Sequence, residues 1–242
     1  MPTGLSREKK GRKGEGCCLV NTLYIVATPI GNLEDVTLRS LRVLKEVDLI
    51  LSEDTRVTKR LLVRHDITTP LQSYHHHSSE SKLNSILSLL KEGKDIALVS
   101  DAGTPGVSDP GNKLVEAVYK ELPEVAIVPI PGPSAITALV SVAGIPTDSF
   151  LFLGFVPQKK RNKFFEEIIN SPHPVIFFES PYRIQKTLRE LSEKGGDLHV
   201  VIGRELTKKF EEIIRGPLDL VAKNMQNKEV KGEFTVLIFQ EK

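Results

Sequence analysis

The chain has 242 residues, 40% of them apolar and 26% charged, which is enough for one large or two ordinary soluble domains with a sizeable core. Of its 33 basic and 31 acidic residues, residues 1–20 hold five and two, so the remainder carries 28 against 29, a net of −1. That balance excludes a protein held to nucleic acid by its global charge.

Residues 1–20 are expected to form a disordered basic extension, because residues 1–16 are rich in Lys, Arg, Gly and Glu with scarcely an apolar side chain to pack. An arm that touches RNA is the functional alternative, and the low apolar content favours the plain extension. The only cysteines, Cys17 and Cys18, are adjacent, so they make poor disulfide partners and supply no metal framework. That fits a reducing compartment, and without a long apolar run at the N-terminus a cytoplasmic protein is expected.

Residues 23–27 (Leu-Tyr-Ile-Val-Ala) read as a buried strand that runs into the turn Thr28-Pro29-Ile30-Gly31-Asn32. Asp35 or Thr37 then caps a helix marked by Leu38, Leu41, Leu44 and Val47 at helical spacing. A strand over 48–51 ends in Ser52-Glu53-Asp54-Thr55-Arg56. A helix over 55–63 aligns Arg56, Lys59, Arg60 and Arg64 as a basic stripe, either a solvated face or a phosphate-facing one. Tyr74-His75-His76-His77 reads as a surface loop rather than a metal site, since adjacent histidines share no face and no other Cys or His stands at ligand spacing. Leu83, Ile86, Leu87 and Leu90 mark another helix, stopped by Gly93.

The central stretch follows. Ile96-Ala97-Leu98-Val99 has no alternation, as expected of a strand buried on both faces. It feeds Ser100-Asp101-Ala102-Gly103-Thr104-Pro105-Gly106-Val107-Ser108-Asp109-Pro110-Gly111, a turn-rich segment at a place where parallel sheets bind ligands. After a helix with Leu114, Val115 and Val118, a strand over 125–130 ends in Pro131-Gly132-Pro133-Ser134-Ala135, where the Ser134 hydroxyl can cap a helix, bond a ligand, or both. Residues 125–145 are uncharged over membrane-spanning length, but Pro129, Pro131, Gly132 and Pro133 argue for strand, turn and helix.

The alternation of strand and helix predicts an α/β protein: an N-terminal domain over 21–133 with a mainly parallel sheet, and a C-terminal α/β domain over 134–242. From Phe150 the chain is more aromatic and passes through the basic run Lys159-Lys160-Arg161-Asn162-Lys163. Strands are expected at 175–178, 198–202, 210–214 and 234–239, and helices at 163–169, 183–193 and 217–225. The C-terminal sheet is expected to be mixed, because one strand pair from Phe210 onward leaves no room for a helical crossover.

No G-x-x-x-x-G-K-[ST] motif occurs, and no G-x-G-x-x-G follows the first strand. The strand-end bends are built of Pro and Asp more than Gly, which removes the free N–H groups that a polyphosphate needs. Carbonyls and a carboxylate such as Asp101 suit instead a cationic ligand with an adenosine end. Glu53 and Asp54 are candidates to accept a proton or orient a substrate, although capping and ion pairing would occupy them equally well. Arg183, Arg204 and Lys208, which also follow strands, are candidate phosphate contacts.

Taken in order, Thr28-Pro-Ile-Gly-Asn-Leu33, Ser52-Glu-Asp-Thr-Arg56, Ser100-Asp-Ala-Gly-Thr-Pro105 with Asp109-Pro-Gly111, Pro131-Gly-Pro-Ser134 and Arg204-Glu-Leu-Thr-Lys208 resemble the tetrapyrrole methylase superfamily, and within it the branch that acts on small-subunit ribosomal RNA. The resemblance spans roughly residues 23–239. It implies two domains closing on S-adenosylmethionine, contacts to that cofactor from Pro29, Asp101, Ala102, Gly103, Thr104, Ser134 and Ala135, methylation of a cytidine 2′-hydroxyl in the decoding region, and a homodimer with neither metal nor membrane. The relatives' motif near the histidines reads His-x-His-Asn-Glu, and this chain lacks its asparagine.

The substrate expected is ribosomal RNA or the assembled small subunit, contacted by Arg56, Lys59, Lys159, Lys160, Arg183, Arg204 and Lys208. Three basic clusters, at 56–64, 159–163 and 204–209, favour a polyanion over the competing reading, C-methylation of a tetrapyrrole. A non-catalytic RNA-binding protein is a third reading. It is disfavoured by the absence of RNP-type or KH-type motifs and by an aromatic content of 6% without tryptophan.

Overall fold

The unalternating run Ile96–Val99 becomes the middle strand of a five-stranded sheet, because both of its faces are covered. A computed structural model describes residues 21–75, 78–109, 111–226 and 230–241; the expectations for residues 1–20, with Cys17 and Cys18, and for His76 and His77 lie outside them.

In chain order the first half contains β1 (Thr22–Val26), α1 (Leu38–Glu46), β2 (Leu49–Ser52), α2 (Thr55–Arg64), β3 (Leu71–Ser73), α3 (Glu80–Lys91), β4 (Ile96–Val99), α4 (Asn112–Glu121) and β5 (Ala126–Ile130). Its strands lie in the order β3-β2-β4-β1-β5, all parallel. Alternate residues of β4 serve opposite layers: Ile96 and Leu98 pack with α3 and α4 through Leu87, Leu90, Leu114 and Val118, while Ala97 and Val99 pack with α1 and α2 through Val43, Leu44, Leu61 and Leu62. Thr37, and not Asp35, caps α1, by accepting from the Ser40 amide at 3.0 Å. The three-residue β3 had no counterpart in the expected strands; it is a half-buried edge too short to show a period.

The second half contains α5 (Ala135–Ala143), β6 (Leu151–Phe155), α6 (Arg161–Ile169), β7 (Val175–Glu179), α7 (Ile184–Gly195), β8 (Leu198–Arg204), β9 (Glu212–Pro217), α8 (Leu218–Met225) and β10 (Phe234–Gln240). The order is β6-β7-β10-β8-β9, with β6 and β7 parallel and the remaining pairs antiparallel. The pair without a crossover is β8–β9. The strand expected at 210–214 runs instead over Glu212–Pro217, because residues 205–211 are folded into a turn tied by Lys208 N–H to Glu205 O (2.9 Å) and Glu211 N–H to Lys208 O (3.1 Å). One face of this sheet is covered by α6, α7 and α8. On the other, Ile136, Leu139 and Ala143 of α5 pack on Ile176, Val201 and Leu237, joined by Ile30 from the first half. The cleft between the halves therefore opens along the carboxyl ends of the parallel strands.

Candidate active site

Four strand-end segments of the first sheet are stitched together by main-chain and side-chain bonds. Thr28 and Gly103 exchange N–H···O bonds of 2.9 and 3.0 Å, Ala27 N–H reaches Ile130 O at 3.1 Å, and the Thr28 hydroxyl donates to Ser100 O at 3.1 Å. Gly103 has φ of +83°, a conformation that side-chain-bearing residues rarely adopt. Asp101 joins the segment after β2 to the one after β4, its Oδ1 accepting from the Asp54 amide at 2.8 Å. Thr104 reaches the segment after β5 through a 3.4 Å bond to Pro133 O.

Against these bends stands the second sheet, and between them lies a cavity of about 410 Å³. Asp101, Ala102, Gly103, Thr104, Ser134 and Ala135 all line it. The Ser134 side chain makes no capping bond to α5. Pro29 is buried next to the lining, and with Thr28 pinned to Gly103 the side chain that reaches the cavity from this segment is that of Ile30. Phe155, Phe178 and Leu206 supply apolar wall from the other side.

Of the five acidic residues that line the cavity, Glu53 and Asp101 act on Asp109. Burial, with Glu53 and Asp101 nearby, pushes the Asp109 carboxyl up to about 6, against a smaller opposing pull from the Ser100 hydroxyl. Asp54 is the opposite case. It caps α2 by accepting from Arg56 N–H at 2.8 Å and holds the Arg56 guanidinium at 2.6 Å, which brings its carboxyl down to about 2. So weak a base is poorly matched to taking a proton near neutrality. Of the Glu53-Asp54 pair only Glu53 lines the cavity.

The cationic candidates divide in the same way. Lys159 and Lys160 are exposed, as are Arg56, Lys59, Arg60 and Arg64 along α2. Arg183 is turned inward, pairing with Glu179 at 2.8 Å and donating to Val156 O at 3.0 Å. Arg204 donates to Lys231 O at 2.8 Å and pairs with Glu212 at 3.2 Å; Lys208 bridges Glu205 (2.9 Å) and Glu233 (3.0 Å). These three brace the C-terminal loops. Asp109 and Phe155 are among the cavity residues that reading by sequence did not assign. Asp109 stood within the quoted Asp-Pro-Gly motif, in the same loop as Asp101, and Gly154 inside a strand pattern hinted at irregularity beside Phe155.

The family model described as tetrapyrrole (corrin/porphyrin) methylases matches residues 22–222. The chain belongs to this family. Among relatives of this tetrapyrrole methylase, the ribosomal RNA small subunit methyltransferase I of Thermotoga maritima is 48% identical over 217 residues, covering 89% of this chain and 97% of that protein. The protein of the same name from Halalkalibacterium halodurans is 45% identical over 240 residues, covering 98% and 80%. In fold the chain is similar to diphthine synthase (TM-score 0.67, 15% identity, 91% and 90% covered) and to the methyltransferase CobJ (TM-score 0.66, 19% identity, 91% and 94% covered).

Tetrapyrrole methylases use S-adenosylmethionine, and the cavity suits it. Its volume lies in the range of small-molecule sites, about 300–1,000 Å³. The part of its wall supplied by Phe178 and Leu206 suits an adenine, and its acidic lining suits a sulfonium cation. Among the described residues no group of three or more His, Cys, Asp or Glu could hold a metal ion, and no helix is long and apolar enough to cross a membrane.

Proposed function

We propose that this chain is an S-adenosylmethionine-dependent methyltransferase of small-subunit ribosomal RNA, acting on a cytidine 2′-hydroxyl in the decoding region. The observation that carries the reading is the acidic, apolar-walled cavity at the strand ends of a chain 48% identical, over 89% of its length, to a protein named ribosomal RNA small subunit methyltransferase I. Likeness to the methyltransferase CobJ, at 19% identity, carries the fold alone.

When bound, the cofactor supplies an electrophilic methyl group. Asp101 to Thr104, Ser134 and Ala135 are positioned to hold it, and Ile30, Phe178 and Leu206 to keep water out. A ribose hydroxyl is a poor nucleophile, so its proton must leave as the new bond forms. We assign that proton to Asp109, with Glu53 beside it orienting the hydroxyl. A carboxylate with a pKa near 6 is ionised at neutral pH and basic enough to serve. Lys159, Lys160 and the α2 stripe contact phosphates. The enzyme is further proposed to be a cytoplasmic homodimer that uses no metal.

Incubation with methyl-labelled S-adenosylmethionine and unmethylated small ribosomal subunits tests the reading. Label in ribose is expected. Cofactor binding without transfer to RNA, or label appearing only in a parallel incubation with a tetrapyrrole, would refute it, and a monomer in analytical ultracentrifugation would refute the dimer.

A further inference from the structure

Strand β6 does not run evenly beside β7. Leu151 and Phe152 pair with Val175 and Ile176, but Phe178 is opposite Phe155 and not Gly154, so one extra residue is inserted between Phe152 and Phe155. Gly154 sits at the bulge with φ of +67°. Because side chains alternate along a strand, an even register would place Phe155 with Leu151 and Leu153, which pack against the core under α6 and α7. The extra residue moves it to the opposite face, which carries Phe152 and Phe178 and looks into the cleft.

The consequence is a phenylalanine that lines the cavity yet remains 57% exposed. Its ring is not loose. It rests on Phe178 with centroids 5.3 Å apart, and Phe178 is braced in turn by Phe152 at 5.1 Å, edge to face. A bulge that withdraws a large apolar ring from a core and fixes it at a cavity mouth calls for a ligand with an apolar face. Lys159 and Lys160 are exposed in the segment that follows β6, four and five residues on from Phe155. Arg161, next in sequence, belongs to the interior, pairing with Glu190 at 2.8 Å and lying over the Phe165 ring. An exposed aromatic platform followed closely in the chain by exposed cations matches an unpaired base and its flanking phosphates.

We infer that Phe155 is the surface on which a base of the RNA substrate stacks when its ribose enters the cleft, which makes Phe155 a substrate-positioning residue. This rests on the proposed RNA methylation and adds the contact that presents the nucleotide.

Two variants of nearly conserved size test it. Phe155→Leu retains apolar bulk without a π face, and Phe155→Tyr retains the face. With unmethylated small subunits, Phe155→Leu is expected to lower kcat/KM roughly 5- to 100-fold and Phe155→Tyr to remain within about threefold of the wild type. Calorimetric affinity for S-adenosylmethionine should stay within about twofold in both. A second readout uses a short single-stranded RNA bearing a fluorescent cytidine analogue, which the wild type and Phe155→Tyr should quench and Phe155→Leu should not. Wild-type kcat/KM in Phe155→Leu, or a matching loss of cofactor affinity, would overturn the inference. Quenching by a wild-type protein that methylates no subunit would refute the proposed reaction and leave the stacking contact standing.

Discussion

Arg183→Ala should destabilise the C-terminal half rather than simply weaken RNA binding. The Glu179 side chain is wholly inaccessible, at 0% exposure, and its oxygens accept from Ser180 N–H at 2.8 Å, the Thr187 hydroxyl at 2.6 Å and Arg183 at 2.8 Å. Removing one partner of such a buried pair costs about 3–5 kcal/mol, because the other charge stays behind uncompensated. Arg183 itself is 29% exposed, and two neutral donors to Glu179 remain, so the lower end is expected, about 3 kcal/mol. For a chain of this size that is a fall in melting temperature of about 6–12 °C. Arg183→Lys restores the charge but not the planar fork that also reaches Val156 O and Ser180 Oγ, so it should recover only part of the loss. Urea and thermal unfolding followed by circular dichroism measure both variants, with affinity for small subunits measured in parallel. An unchanged unfolding midpoint in Arg183→Ala, together with a shallower salt dependence of RNA binding, would refute the assignment and make Arg183 a phosphate ligand after all.

The carboxyl of Asp109 must be ionised to take a proton, so kcat/KM should fall about tenfold per pH unit below about 6 and level off above it; Asp109→Asn should abolish that limb and lower kcat by about 10²–10⁴. Stability runs the other way. A carboxyl raised from 3.8 to about 6 contributes most below the lower value and loses that contribution as pH rises through the upper one, so Asp109→Asn should flatten the decline between pH 4 and 7 seen in denaturant midpoints. Asp101→Ala should abolish calorimetric binding of S-adenosylmethionine while leaving the fold intact, since the structural loss is one bond to the Asp54 amide, about 1 kcal/mol. Replacing Lys159 and Lys160 by alanine should weaken binding to small subunits and reduce the slope of log affinity against log salt by about 0.7–0.9 for each phosphate left without its cation; an unchanged slope would place the RNA path elsewhere.

Much of the site could be read before folding, because strand ends and Pro/Asp/Gly bends are local features. Ile96–Val99 announces a doubly buried strand by its lack of alternation, and the Asp101-to-Thr104 and Ser134-Ala135 bends lie at the ends of β4 and β5. What stayed hidden depends on partners far away in the chain. Arg183 looks like any strand-end cation until Glu179, four residues earlier at the end of β7, proves to be buried. Lys208 looks available until Glu233 arrives from 25 residues downstream. Asp54 shows the ambiguity resolving within three residues, since Arg56 and the start of α2 claim it entirely. Phe155 is the deepest case: only the pairing with β7 reveals the extra residue, and with it the face on which the ring lies.

The reciprocal bonds between Thr28 and Gly103 mean that this part of the pocket's outline is drawn by amides and carbonyls, which survive any substitution other than proline. Such a frame lets an evolving lineage exchange the groups projecting from it, altering what is recognised without having to reinvent the berth for the donor. That separation of frame from fittings gives a physical reason why chains sharing only 15–19% of their residues keep one architecture.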